Sequence, residues 1–252
     1  MICLKVKALF RIVIWLVIAI LLTSIFALSM MGQLTNLTKR LGFLRYDDSG
    51  YQAGNGVITD YGAITGLDVE WVSGTVSVSV NVDDEVSISE SAAKELSDWQ
   101  HLRYKLADGI LYIKYTAPKS YEFWKTAPSK KLSLSLPASL IKNLETVNIS
   151  SVSGNVELKS LHSKRLDAET VSGKIKIINS IGDIMNLKSV SGNITVDIPS
   201  NDGFTLKYST ASGEMKNKID DLTVQPDGSY VYKSGGYIFT VETDVGSLEI
   251  TE

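Results

Sequence analysis

Cysteine is almost missing from this sequence: the one thiol, Cys3, precedes the first apolar run. Whatever folds after it does so without a disulfide, a thiolate ligand or a cysteine nucleophile. Proline is scarce, 5 in 252 residues, which excludes a proline-rich stalk. The two histidines, His101 and His162, stand far apart, and neither has a partner at metal-ligand spacing. Carboxylates are absent before Asp47. Beyond Arg45, 28 of them face 19 Lys and Arg, a net charge of −9. Such an acidic body repels phosphate backbones, and no basic stripe interleaved with aromatics offsets it. Nucleic acid is therefore excluded as a partner.

Catalytic motifs are missing too. There is no Gly-x-Ser-x-Gly elbow and no glycine-rich phosphate loop. The acidic runs Asp83-Asp84-Glu85 and Asp220-Asp221 fit neither an EF-hand nor a nonapeptide calcium repeat, and read as solvated turns. Ser91-Ala92-Ala93-Lys94 matches the Ser-x-x-Lys of penicillin-binding enzymes. Lys125-Thr126-Ala127 lacks the glycine that should accompany it, so the match is read as coincidence. The expectation is a non-enzymatic chain with no cofactor, no metal and no catalytic residue.

What is present begins with residues 12–31, a run without a single charge (IVIWLVIAILLTSIFALSMM). At about 1.5 Å per residue, a helix of that length spans the hydrocarbon core of a bilayer. A core helix of a soluble domain would show a polar face, and this run has none. A cleaved signal peptide is the competing reading, with Ala27-Leu28-Ser29 as a small-residue site, but the length favours an uncleaved anchor. Lys5, Lys7 and Arg11 lie close before the run, whereas Lys39, Arg40 and Arg45 follow at greater distance. That asymmetry puts residues 1–11 in the cytoplasm and the bulk of the chain outside, a single-pass protein of the cell membrane. Residues 32–56 read as a juxtamembrane linker and residues 57–252 as the folded domain.

The folded part carries an internal repeat. Its copies read LDVEWVSGTVSV (67–78), VNISSVSGNVEL (147–158), LDAETVSGKIKI (166–177), MNLKSVSGNITV (185–196) and LKYSTASGEMKN (206–217), with a degenerate sixth, FTVETDVGSLEI (239–250). Aligned, they give four apolar columns, two before the glycine and two after it. The first holds Leu67, Val147, Leu166, Met185, Leu206 and Phe239, and the third Val76, Val156, Ile175, Ile194, Met215 and Leu248. Period-two alternation on both sides of the Ser-Gly predicts two short strands per copy, each with one buried face. The glycines Gly74, Gly154, Gly173, Gly192, Gly213 and Gly246 suit a corner that needs positive φ or a close backbone approach.

The glycine spacings are 80, 19, 19, 21 and 33. Near-equal steps with matching side-chain classes predict coils that stack like upon like, each strand pairing with its copy in the next coil. The expected fold is all-β, a β-solenoid or β-helix-like repeat domain with antiparallel capping strands, preceded by one N-terminal transmembrane helix. The alternative treats each Ser-Gly as a hairpin turn and gives a meander or sandwich. Pro226-Asp227-Gly228 predicts a hairpin before the last copy, and residues 79–146 an insertion of strands that caps the stack, with a short helix over 91–99. That insertion concentrates Trp99, Tyr104, Tyr112, Tyr115, Tyr121, Phe123 and Trp124, 7 of the 21 aromatics, within 26 residues. These residues form the candidate partner surface, for sugar rings or a protein, set against the plainer reading that they bury themselves in the cap.

The Thr/Ser-Val-Ser-Gly-x-Val-x-Val units, with Leu134-Ser135-Leu136-Pro137 and Ile198-Pro199 to Gly203-Phe204, resemble the bacterial adhesin-type domain family of unknown function. That family includes LiaG-type membrane-anchored proteins, and the resemblance covers about residues 57–252. It implies an extracytoplasmic β-repeat domain on a single anchor, often associated with cell-envelope stress systems, and offers no catalytic residues to carry over. Three functions are thereby open: a surface scaffold or binding module for an envelope protein or polysaccharide, an accessory protein of envelope-stress signalling, and a carbohydrate-active β-helix enzyme. The last would need carboxylates clustered on one face. Glu157, Lys176 and Thr195 share one outward column and Asn155, Lys174 and Asn193 another, a mixture that gives no such pair.

Overall fold

Each apolar–polar alternation becomes a strand in the computed structural model, which describes residues 50–116, 128–199 and 203–252. The run at 12–31 lies outside the described residues, and among the described residues no helix is long and apolar enough to cross a membrane. Two long strands, β3 (Gly66–Asn81) and β8 (Thr146–Lys159), pass through their corners and contribute to both faces of the molecule. The other copies split at the corner into β9 (His162–Thr170) and β10 (Ile175–Ile178), β11 (Ile181–Ser191) and β12 (Ile194–Asp197), β13 (Phe204–Ser212) and β14 (Met215–Asn217), and β17 (Tyr237–Val245) and β18 (Leu248–Thr251).

These strands stack in parallel and in register. On the first face Leu67, Val147, Leu166 and Met185 lie side by side, followed by Phe239 and then Leu206. On the second, Val76, Val156, Ile175 and Ile194 are followed by Leu248 and Met215. All of these except Met215 are buried, so the core is the space between the two faces. The meander is excluded by the parallel pairing.

The order of stacking departs from the order in the sequence. The last repeat, β17 and β18, is inserted between β11–β12 and β13–β14. At the other end the insertion does more than cap. It supplies a further coil from β6 (Ile110–Lys114) and β7 (Lys130–Pro137), which pair in parallel with the two halves of β3. The first and last repeats of the sequence are thus interior coils of a seven-coil stack. The end falls instead to the 206–217 repeat, whose second strand is only three residues long and whose first is covered by an antiparallel strand, which limits the open edge.

Antiparallel strands cover the ends, as expected. β4 (Val86–Ala92) lies on β7 and β2 (Gly56–Ile58) on β4. β5 (Arg103–Ala107) lies on β6, and β1 (Gln52–Ala53) lies on β5 within the segment read as linker. At the opposite end, β15 (Thr223–Val224) and β16 (Tyr230–Tyr232) form the predicted hairpin, which covers Phe204–Leu206 of β13. The helix expected over 91–99 does not form. β4 runs on to Ala92, because pairing with β7 satisfies its backbone, and only Asp98–Gln100 makes a single 3-10 turn.

The corners explain the glycines. Gly74 has φ +105°, while Gly173, Gly192 and Gly213 are required by proximity alone. A Cβ on Gly173 would sit 2.0 Å from the Gly154 carbonyl oxygen, and one on Gly192 2.1 Å from that of Gly173. Gly213 and Gly246 continue the column. The backbone groups exposed by the turn are taken up by a buried ladder of hydroxyls three residues earlier. Thr170 Oγ1 accepts from the Gly173 N–H and donates to the Gly154 carbonyl, and Ser189 Oγ donates to the Gly173 carbonyl. Ser151 Oγ likewise accepts from the Gly154 N–H. Asn155 Oδ1 receives the Lys174 N–H of the next coil, and Asn193 Oδ1 that of Ser247.

Gly192→Ala is expected to cost about 3 kcal/mol or more, because the obstructing atoms are backbone and cannot rotate away. Ser189→Ala should cost about 1 kcal/mol. Urea melts of the two variants check both values, and equal costs would remove the close-approach explanation.

Candidate functional site

The aromatic residues of the insertion divide by burial. Tyr104 and Tyr115 are buried, Tyr104 donating from its hydroxyl to Gln52 Oε1 at 2.6 Å and Tyr115 to the carbonyl of Pro128. Trp99, in the middle of the 3-10 turn, and Tyr112, on the outward side of β6, are half-exposed. Tyr121, Phe123 and Trp124 lie outside the described residues.

Tyr115 belongs to a polar centre that sequence reasoning missed. In register terms Lys130 occupies the glycine position of its coil, opposite Gly74. Its side chain runs inward under the rings of Trp71 and Tyr115, with the ammonium 5.1 and 4.3 Å from their centroids, and the two rings meet edge to face at 4.9 Å. Nζ donates to Glu90 Oε2 at 2.8 Å and to the carbonyls of Gln100 at 2.6 Å and Tyr115 at 2.5 Å. Glu90 in turn accepts from His101 Nδ1 at 2.7 Å and from the Leu102 N–H at 3.1 Å. Neither member of the pair is exposed, at 0% and 3% of the side-chain surface.

Burial pulls the Lys130 ammonium below its usual pKa, and the Glu90 bonds and charge offset part of that. Burial first, and the Glu90 charge second, push the Tyr115 phenol up, so it stays protonated. Because all three ammonium protons are engaged, this lysine is held as a cation rather than offered as a nucleophile. The centre ties together β4, the 3-10 turn and the corner of β7.

Beside it opens a cleft of about 260 Å³, lined by Gly74, Thr75, Ser91 to Ala93 and Ser129 to Lys131. Ser91 lies opposite Lys131 there, and Lys94 falls beyond the end of β4, so the Ser-x-x-Lys match does not assemble a base and nucleophile on one element. Among the described residues no group of three or more His, Cys, Asp or Glu is placed to hold a metal ion.

A second feature lies on the outward side of the first face, between its two apolar columns. Tyr112, Asp68, Asn148, Asp167, Asn186 and Thr240 stand side by side on successive strands. Asn148 Nδ2 donates to Asp68 Oδ2 at 3.4 Å, and Asn186 Nδ2 to Asp167 Oδ1 at 2.7 Å, while Arg165 Nε holds Asp167 Oδ2 at 2.8 Å. The repeat alignment contains this column (Leu-Asp-Val, Val-Asn-Ile, Leu-Asp-Ala, Met-Asn-Leu), though it attracts no notice beside the apolar ones.

Such a stack of Val-Ser-Gly coils is matched by one family model over residues 58–251, described as Toastrack DUF4097. The chain belongs to the Toastrack DUF4097 family. The Toastrack domain also superposes on solved structures. The crystal structure of a "putative cell adhesion protein" from Clostridium sporogenes is 16% identical, covers 79% of this chain and 99% of its own, and has a TM-score of 0.59. At that identity the likeness shows the Toastrack fold alone. The crystal structure of a "putative adhesin" from Bacteroides fragilis is 13% identical over 79% of this chain and 97% of its own. Its TM-score of 0.33 is too loose to bear on the fold. No curated protein matches this Toastrack chain.

Proposed function

We propose that the protein is a non-enzymatic binding module of the cell envelope, anchored by residues 12–31 with its solenoid outside the cytoplasmic membrane. The observation that carries this reading is the register of the stack: seven coils present regular arrays of solvent-facing side chains on two faces. Those arrays form a surface for recognition. The polar centre at Lys130 is internally satisfied and supports the cap rather than a reaction. The uncharged run supports the anchor, and the cations close before it support the orientation. The Clostridium sporogenes protein that shares the fold is described as a "putative cell adhesion protein", which points the same way, although fold alone does not specify function.

Protease added to intact cells is expected to digest the domain while the N-terminal fragment stays in the membrane fraction. Protection of the domain until lysis would overturn the orientation and the envelope role together. A pull-down of envelope proteins separates a binding module from an accessory of stress signalling, since the latter requires a regulatory partner.

A further inference from the structure

The row Tyr112, Asp68, Asn148, Asp167, Asn186, Thr240 and Lys207 places one polar side chain on each of the seven coils along the solenoid axis. We infer that this row is a binding site for a linear glycan, neutral or amine-bearing, lying along the axis with one sugar ring per coil. The inference rests on the binding-module reading and deepens it by assigning the face and the ligand class.

Spacing is the first reason. Neighbouring strands repeat at roughly 4.8 Å, close to the length of one pyranose unit in an extended chain. Across Asp68, Asn148, Asp167 and Asn186 the side chains alternate, so the row repeats every second coil, as a β-1,4-linked chain, whose rings turn over one after the next, repeats every second ring. The second reason is the chemistry of the row. Each Asn is fixed by donating one N–H to the neighbouring carboxylate. It still carries a second N–H and a carbonyl acceptor. Donors and acceptors set side by side in this way suit the vicinal hydroxyls of a sugar.

The third reason is the end of the row. Tyr112 and Tyr51 are half-exposed, and Lys105 holds its ammonium 5.8 and 4.6 Å from their ring centroids. With the ammonium over one face of each ring, a sugar would stack its apolar side on the other.

Charge decides among glycans. The cations along the row are held by carboxylates, Arg165 by Asp167 and Lys114 by Glu70, and Lys105 and Lys207 lie at opposite ends, so no continuous cationic stripe faces a polyanion. Burial, as the main cause, holds the Asp68 and Glu70 carboxyls above the ordinary range, with Lys114 offsetting part of the shift. Hydroxyl or ammonium donors from a ligand would relieve that desolvation, and a polyanion would worsen it.

The test uses the full chain in detergent micelles and three probes: the hexamer of β-1,4-linked N-acetylglucosamine, its deacetylated amine form, and polygalacturonate. Calorimetric titration is expected to show binding of the first two and none of the third. Asp167→Ala and Tyr112→Ala should each weaken binding about tenfold or more, the loss of a charged hydrogen bond or a stacking contact. Tyr112→Phe should retain it. Lys176→Ala, outward on the second face, serves as the control and should bind like the parent. Unchanged melting curves establish that the outward variants fold. Binding by neither hexamer overturns the ligand class, and equal binding by parent and row variants overturns the site. If the glycans fail while intact cells still yield the domain to protease, the glycan site falls and the envelope-module reading stands.

Discussion

A chain cut after Gly236 is expected to lose amide protection throughout Phe204–Tyr232 while Thr146–Ile178 stays protected. The missing repeat pairs on one side with β11 and β12 and on the other with β13 and β14. Removing it exposes Met185 and Leu187 of one coil and Leu206 of the other, and it cuts β13, β14 and their hairpin from the stack. In a solenoid each coil is stabilised by its neighbours, so damage of this kind spreads locally rather than uniformly. Hydrogen exchange followed by mass spectrometry reads the result directly. Were the copies stacked in sequence order, the same deletion would merely trim an end, and Phe204–Asn217 would keep its protection.

The second large effect belongs to the buried ion pair. Lys130→Ala leaves the Glu90 carboxylate inside the cap without its cation, and Glu90→Ala leaves the ammonium without its anion. Breaking a buried pair from one side costs about 3–5 kcal/mol, or roughly 6–20 °C in melting temperature for a domain of this size. The double variant Glu90→Gln with Lys130→Met should recover most of that loss. The amide still accepts from the Leu102 N–H, and the thioether lies against Trp71 and Tyr115. A double-mutant cycle on thermal melts, closed with the single variants Glu90→Gln and Lys130→Met, measures this. If the two single losses simply add in the double variant, the pair is not coupled and the cap is held by something else.

The register of the core was legible because strand alternation is a local property. Leu67, Val147, Leu166 and Met185 announce a column without any knowledge of the fold, and pairing put them side by side. The order of the coils was not legible, for the same reason. Copies that resemble one another pack equally well in either order, and Phe239 fits against Met185 as well as Leu206 would.

The extra coil escaped notice because Ile110–Lys114 and Lys130–Pro137 carry the alternation without a Val-Ser-Gly between them. The polar centre was hidden by distance along the chain. Glu90, His101 and Lys130 share no motif, and only the return of β7 to β4 brings them together. Of the aromatic cluster, the sequence could supply membership but not burial, which separates Tyr104 and Tyr115 from Trp99 and Tyr112.

Cross-linking with a short thiol-bridging reagent tests the stack most directly, since replacing Cys3 by serine leaves a cysteine-free background. Cysteine pairs would be placed in one outward column, at Asn186 with Thr240, at Thr240 with Lys207, and at Asn186 with Lys207. The first two pairs sit on neighbouring strands, and the third is two strands apart, at roughly 10 Å. Efficient bridging of the first two pairs, with little of the third, is the predicted result. Bridging of Asn186 with Lys207 and none with Thr240 would contradict it, and would return the last repeat to the end of the stack.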